Sequence, residues 1–281
     1  VDRGIKYIER FGNGAPRLVE QRLPRWRAIR EEIRADLLAR GFNQRVGAFT
    51  QSYGSDALDA SVLLIPHMGF LPADDPRNAW LKPPASGLRA TWLGHSTVLL
   101  EIDGWRVLTD PVWGQRASPF TLLGPKRFQP VPVSLRELPP IDAVVISHDH
   151  YDHLDYPTIR ALAKSDVPFV TSLGVGAHLE AWGIASARIT ELTWWQTHRV
   201  PGTGLSITAA PSQHFSGRGL KDRNLTLWSS LVMQGERHSV FFSGDTGLTS
   251  EYETIRDRLG PFDLVMLDVG AFHPSWGDIH L

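Results

Sequence analysis

The chain has 281 residues, 42% hydrophobic and 21% charged, the balance of an ordinary globular protein. Its net charge of −1 argues against a broadly basic nucleic-acid surface, so no nucleic-acid partner is expected. There is no cysteine, which excludes disulfides and leaves His, Asp and Glu to build any metal site; nor is there a membrane-length apolar run or a signal-peptide pattern. These features fit a cytoplasmic protein, with peripheral membrane contact left open. The first residue is Val1 rather than Met, so the expectation is a chain cut from something longer.

Residues 1–78 read as helical. Pro24 to Gly41 places Trp26, Ile29, Ile33 and Leu37 at helical spacing, with Pro at one end and Gly at the other. Asp56 to Ile65 is a second helix candidate, with Ser55 as its cap. Two Pro-rich stretches, Leu71 to Pro76 and Lys82-Pro83-Pro84, mark a boundary, and residues 79–87 read as a linker. From Leu88 the texture turns to strands: Leu88–Leu93, Thr97–Ile102, a turn at Asp103-Gly104 and a return strand Trp105–Leu108. Ile141–Ile146 is apolar and β-branched. Pro157 opens a short helix through Leu162. Further strands are expected at 169–170, 187–190, 206–210, 227–233, 239–242 and 264–267, with helices at 175–182 and 252–259. Strands interleaved with helices point to an α/β fold with helices covering the sheets.

The densest chemistry follows the Ile141–Ile146 strand. Ser147-His148-Asp149-His150-Tyr151-Asp152-His153-Leu154-Asp155 packs three imidazoles and three carboxylates into one loop. Burying them without partners would be costly, and a metal is a natural partner. The order divides between two ions, His148 and His150 facing one, Asp152 and His153 the other. Imidazole and carboxylate suit zinc, and less exclusively iron or manganese. Two later segments read as ligand loops of the same kind: His214 follows the 206–210 strand through a Pro break, and Asp245 lies between Gly244 and Gly247 after the 239–242 strand. A carboxylate there can bridge two cations.

With these motifs together, residues 88–281 resemble the metallo-β-lactamase superfamily, and within it the N-acylphosphatidylethanolamine-hydrolysing phospholipase D group. The pieces that carry the likeness are Trp92-Leu93-Gly94-His95-Ser96-Thr97, Leu108-Thr109-Asp110-Pro111, Gly124-Pro125-Lys126-Arg127-Phe128, Leu138-Pro139-Pro140-Ile141-Asp142-Ala143, the His148–Asp155 run, Thr193-Trp194-Trp195, His214, Gly244-Asp245-Thr246-Gly247 and Gly260-Pro261-Phe262-Asp263. The resemblance implies an αββα sandwich with two Zn²⁺ at one edge. His148, His150 and His214 would hold one zinc and Asp152 and His153 the second, with Asp245 bridging. Tyr151 and His280 would lie near the substrate phosphate. Asp110, and with it His95, would orient ligands from behind, a structural role in its turn being the alternative for His95. The family's last zinc ligand, a His in a His-Trp-Gly segment, falls after Leu281, so the second site is expected to be incomplete and the fragment impaired. Residues 1–78 resemble something else. Gly47 to Ser61 and Gly69 to Arg77 look like part of the helical toroid of glucoamylase- and trehalase-like glycoside hydrolases, with Asp56 and Asp59 read as solvated or capping residues.

The expected activity is hydrolysis of a phosphodiester, releasing an N-acylethanolamine and phosphatidic acid from N-acylphosphatidylethanolamine. Two zinc ions about 3.5–4 Å apart share a water whose pKa falls towards ~7, and Asp152 orients it and accepts its proton. The alternatives are a hydrolase of the same fold acting on a lactone or other small ester, and a non-catalytic fragment.

Overall fold

A computed structural model of the chain describes residues 5, 16–43, 45, 48–50, 52–56, 76–120, 122–127, 130–270 and 274–280. The chain divides into two compact units, Val1–Ala73 and Asp74–Leu281.

In the first unit, helix α1 spans Pro16–Arg40. It begins eight residues before the expected start, and Pro24 lies inside it. Proline removes one backbone donor, but its fixed φ is helical, so the helix continues through it. Gly41 ends the helix, its N–H donating to the Leu37 carbonyl at 2.8 Å. Leu23 and Ile5 are buried together with Trp26 packed beside them. The region is not wholly helical as expected. Strands β1 (Phe42–Asn43) and β2 (Ala48–Phe49) pair antiparallel, with Phe42 and Phe49 edge to face at 5.3 Å. Two-residue strands carry no alternation for a sequence to display. Asp56 accepts from Asn43 Nδ2 at 2.8 Å and pairs with Arg45, an exposed polar cluster. The rest of the expected 56–65 helix, Asp59 and the 71–75 stretch fall outside the described residues.

The second unit is a sandwich of two sheets. Its first helical turn, α2 (Pro76–Trp80), sets Trp80 into the core, with the indole N–H on Thr91 Oγ1 at 3.2 Å. A six-stranded sheet runs β3 (Leu88–Gly94), β4 (Thr97–Ile102), β5 (Trp105–Thr109), β6 (Ala143–Ile146), β7 (Phe169–Ser172) and β8 (Ile189–Leu192) in spatial order. The other sheet has order β13-β12-β11-β10-β9, from Leu264–Met266, Ser239–Phe242, Ser230–Gln234, Ser206–Ala210 and Thr197–Arg199 respectively. Helices α3 (Tyr156–Leu162) and α4 (Gly176–Ala181) cover the outer face of the first sheet through Ile159, Leu162 and Leu179. Helix α5 (Glu251–Leu259) covers the second through Ile255 against Val232 and Phe241. The alternation along β4 shows why both faces are apolar: Leu99 joins the helix-side core, while Val98, Leu100 and Ile102 face the opposite way and are equally buried. This αββα layering is the expected fold.

Strand β9 was not foreseen, because its Thr-His-Arg sequence is polar and half exposed; a Thr197–Thr208 hydroxyl contact at 2.8 Å ties it to β10. Strand β11 begins at Ser230 rather than Leu227 because the preceding residues bond across to the first sheet, Leu227 N–H to the Leu173 carbonyl and Ser229 N–H to the Ser147 carbonyl. Strands β5 to β8 are parallel, and β12 is parallel to β13. Two antiparallel steps make β10 run with β12, and two more make β3 run with β5. The carboxyl ends of β3, β5 and β6 therefore share one edge of their sheet, and those of β10, β12 and β13 share one edge of theirs.

Candidate metal centre

The site is assembled from loops leaving those carboxyl ends. The buried β6 strand delivers the His148–Asp155 loop; β10 delivers His214; β12 delivers Asp245; the β3–β4 turn delivers His95. Gly244 adopts φ 58°, and a Cβ there would sit 2.8 Å from that of Ser147, so glycine lets the Asp245 loop close against the His148 loop.

Two groups of donors result. In the first, His148 Nε2 lies 2.9 Å from His150 Nδ1, which lies 3.2 Å from His214 Nε2. In the second, His153 Nε2 is 3.1 Å from Asp245 Oδ1 and 3.9 Å from Asp152 Oδ2, and His95 Nε2 is 3.1 Å from Asp152 Oδ2. Asp245 faces both groups, its other oxygen 3.9 Å from His214 Nε2. These separations are close to the edges of a coordination polyhedron with bonds of about 2.0–2.1 Å. His153 Nε2 is fully buried with no hydrogen bond of acceptable geometry, a donor that a cation would satisfy. The residues present thus fit one or two cations of the nitrogen- and oxygen-seeking kind.

The supporting shell is as specific as the donors. Asp110 is wholly buried at φ 32°, and its carboxylate accepts from Ser147 N–H at 2.7 Å, Ser147 Oγ at 2.6 Å and His153 Nδ1 at 2.7 Å. That last bond fixes the tautomer that leaves His153 Nε2 facing the site. Asp149 was not singled out from the sequence, yet its carboxylate, 2% exposed, joins the two main ligand loops. It accepts from Gly217 N–H at 2.8 Å and Thr226 Oγ1 at 3.0 Å, while Arg218 Nη1 donates to the Asp149 carbonyl at 2.6 Å and the Leu154 carbonyl at 2.8 Å. Tyr151 lies under the Arg218 guanidinium at 3.9 Å, its hydroxyl donating to the Arg218 carbonyl. His280 stands with its ring 5.1 Å from that of His214, its Nδ1 2.5 Å from Asp268 Oδ2. Asp268 was also missed. The apolar run 264–267 leading into a carboxylate was its signal, the same pattern that exposed Asp245.

The electrostatics separate the imidazoles. Burial, with the neighbouring imidazoles, pulls His148 well below the usual histidine range; burial also lowers His150, and takes His214 down to about 4. Burial acts the same way on His153, but Asp245, Asp152 and Asp110 outweigh it and raise it well above 6.5. Asp245 is held at about 2, where burial would raise it but His153 prevails; Asp152 is lowered against its burial by His153 and His95. At neutral pH three imidazoles are therefore neutral and ready to coordinate, while His153 carries a proton balanced by carboxylates.

A pH prediction follows. A histidine whose folded pKa is depressed favours folding only while neutral. The metal-free protein is therefore expected to lose stability as pH falls from about 6.5 to about 4, as the unfolded chain takes up protons that His214 refuses. His153 adds no slope below about 5.5, being protonated in both states. Urea midpoints at about pH 5.5 and about pH 4.5, where His153 contributes no slope, measure this; equal midpoints would contradict it.

Residues 105–281 match the family described as "Beta-lactamase superfamily domain", and residues 1–101 match "Glycosyl hydrolases family 15". The chain is 42% identical over 199 residues to N-acyl-phosphatidylethanolamine-hydrolyzing phospholipase D 1 of Caenorhabditis elegans, covering 68% of this chain and 56% of that protein. It is 53% identical over 104 residues to a trehalase of Mycolicibacterium smegmatis, covering 37% of this chain and 13% of the trehalase. The isothiocyanate hydrolase from Delia radicum gut bacteria superposes with TM-score 0.54 at 23% identity, covering 68% of this chain and 76% of that one, which shows the shared fold. The chain spans about half the length of the curated relatives it matches. Both resemblances read from the motifs are matched in these comparisons.

Proposed function

The chain belongs to the beta-lactamase superfamily domain family over residues 105–281, and from that premise we propose that it is a zinc-dependent phosphodiesterase cleaving N-acylphosphatidylethanolamine in the manner of a phospholipase D. The observation that carries the reading is the gathering of His148, His150, Asp152, His153, His214 and Asp245 at one edge of a fold whose C. elegans relative has that name.

When bound, a zinc pair would lower the pKa of a shared water towards ~7 and neutralise charge on the phosphoryl oxygens during in-line displacement. His148 Nε2, His150 Nδ1 and His214 Nε2 would hold one ion, His153 Nε2 and Asp152 the other, with one Asp245 oxygen toward each. Asp110 keeps the His153 Nδ1 proton in place, so that Nε2 stays a donor to the metal. Asp152, ionised at rest, orients the attacking water by accepting a hydrogen bond from it and then takes its proton. Tyr151, within the His148–Asp155 loop, and His280, beside His214, are the candidates for contacts with the phosphate. The oxygen of water bonds to phosphorus, the P–O bond to the N-acylethanolamine oxygen breaks, and the proton that Asp152 took from water passes to that departing oxygen.

A lipid substrate is further supported by the rim. Leu220, Leu225, Leu248 and Val269 are all exposed, Leu220 completely, and all lie in segments that follow the carboxyl ends of β10, β12 and β13. Exposed apolar side chains on loops of the site's own edge suit contact with a lipid aggregate, and hence peripheral membrane contact. Among the described residues no helix is long and apolar enough to cross a membrane.

The test is turnover of N-acylphosphatidylethanolamine in mixed micelles beside a panel of lactones and small esters. Release of N-acylethanolamine supports the reading. Turnover confined to the panel would replace the lipid by a small ester, and two bound zinc ions without turnover of either would favour a non-catalytic role.

A further inference from the structure

The segment that carries His214 also forms a wall of a cavity that the two-metal reading leaves unused. From its lining we propose that this cavity binds an organic ammonium ion bearing a hydroxyl, the class to which choline belongs. The site stands apart from the phosphodiesterase reading.

The cavity has a volume of about 430 Å³, within the roughly 300–1,000 Å³ of small-molecule sites. It is lined by Trp194 and Trp195 from the β8–β9 turn, Trp228 just before β11, Ser212 after β10 and Glu251 at the start of α5. His214 reaches it too, but His148, His150, Asp152, His153 and Asp245 are not among its described lining residues.

The indoles are held in place by their own N–H groups. Trp194 Nε1 donates to the Trp228 carbonyl at 2.7 Å, and Trp228 Nε1 donates to the Ser212 carbonyl at 2.9 Å. Neither N–H is left for a ligand, so what these rings offer is the attraction of a π face. The two rings stand at 77° with centroids 6.3 Å apart, walls meeting near a right angle. Aromatic walls of this kind recognise quaternary ammonium groups, whose charge is spread and weakly hydrated.

The backbone is bent to supply the third indole. Trp195 adopts φ 72°, a conformation that bulky side chains rarely hold and that persists where the surroundings fix it, ligand sites among them. The bend sends two successive indoles to different partners. Trp195 packs on the Phe241–Ile255 core beneath the Arg258 guanidinium, at 3.9 Å, while Trp194 meets Trp228. Trp195 therefore already holds a cation, and Trp194 and Trp228 are the walls open to another.

Charge and hydrogen bonding select the ligand further. Glu251 has no ion-pair partner among the described residues, and no lysine or arginine is among the described residues lining the cavity. A carboxylate beside π faces favours a cation and disfavours an anion or a bare acyl chain. Ser212 is 8% exposed and its hydroxyl has no hydrogen-bond partner, an orphan that a ligand hydroxyl would satisfy.

The test is fluorescence and calorimetric titration of the full chain with choline at constant ionic strength, beside the uncharged isostere in which carbon replaces the nitrogen. Choline is expected to bind, and the isostere roughly 10–30-fold more weakly, the size of a desolvated cation–π contribution. Glu251→Gln keeps the volume and should weaken choline by about tenfold while leaving the isostere unchanged; Trp194→Leu should weaken choline by a similar factor. Sedimentation with phosphatidylcholine and phosphatidylglycerol vesicles separates the sources of the ammonium group. Binding of free choline identifies a soluble ligand. Binding to phosphatidylcholine vesicles alone, lost in Glu251→Gln, identifies a lipid headgroup, and either result supports the site. Equal affinity for choline and its isostere, binding unaffected by Glu251→Gln, or binding of neither choline nor phosphatidylcholine would overturn it. Should Trp194→Leu fail to fold, Glu251→Gln and the isostere decide the matter. Zinc content and turnover of N-acylphosphatidylethanolamine, measured beside these titrations, report on the phosphodiesterase reading separately.

Discussion

Asp245→Ala is expected to lower hydrolysis by about 10³-fold or more, at least 4 kcal/mol of transition-state stabilisation, and to leave the chain with no more than one zinc. Among the described residues, Asp245 is the carboxylate that faces both donor groups, 3.1 Å from His153 on one side and 3.9 Å from His214 on the other. On the proposed two-metal reading, removing it would take a negative ligand from each ion at once. It also strips the His153 imidazolium of its foremost anionic partner in the metal-free state. Asp110 and Asp152 stay beside the imidazolium, so only part of the roughly 3–5 kcal/mol cost of an unpaired buried charge is felt, and the metal-free variant should still unfold earlier. Asp245→Asn keeps the volume and loses only the charge. It should retain more of the fold than the alanine variant and little of the activity. Zinc content, kcat and a urea midpoint measure the three effects separately. A variant with full zinc occupancy and near-normal kcat would refute the placement of Asp245 between two metals.

Asp110→Asn should cost 10–100-fold in zinc affinity without removing any ligand. Asp110 receives three donors, two from Ser147 and one from His153 Nδ1. Asparagine offers one acceptor oxygen and turns an NH₂ group towards the remaining donors. At least one buried donor loses its partner, at a cost of about 1–3 kcal/mol. If His153 Nδ1 is the one, the imidazole is free to take the other tautomer, which puts a proton on the nitrogen facing the site. Chelator competition should then show the second zinc weakened more than the first, because His153 belongs to the second group. Equal weakening of both ions would point to a general loosening of the His148 loop instead.

Much of this was legible in the sequence because the chemistry is local. The His148–Asp155 run declares its ligands through residue type and spacing, and the buried β6 strand before it needs only an unbroken apolar stretch to be recognised. His214 and Asp245 could be read because each follows an apolar strand, so the reading joined a strand end to a donor side chain. The same rule applied to 264–267 would have found Asp268. Failures came where the signal is not periodic. Strand β9 is polar and half exposed, Pro24 passes through a helix it was expected to begin, and β1 with β2 is too short for alternation.

The sequence by itself determined the donor inventory, the absence of thiolate ligands, the alternation of buried strands with helices, and the family to which that pattern belongs. Tertiary structure decided which donors stand together. His95 and Asp152 are 57 positions apart in the chain, and His150 and His214 are separated by 64; they meet because parallel β3 and β6, and β10 of the facing sheet, end at neighbouring edges. Tertiary structure alone also showed that Asp149 spans from one ligand loop to the other, since a carboxylate's partners across 68 and 77 positions leave no trace in local spacing. Coordination depends on separations of a few ångströms in space, and those are set by sheet packing, which linear order does not encode directly.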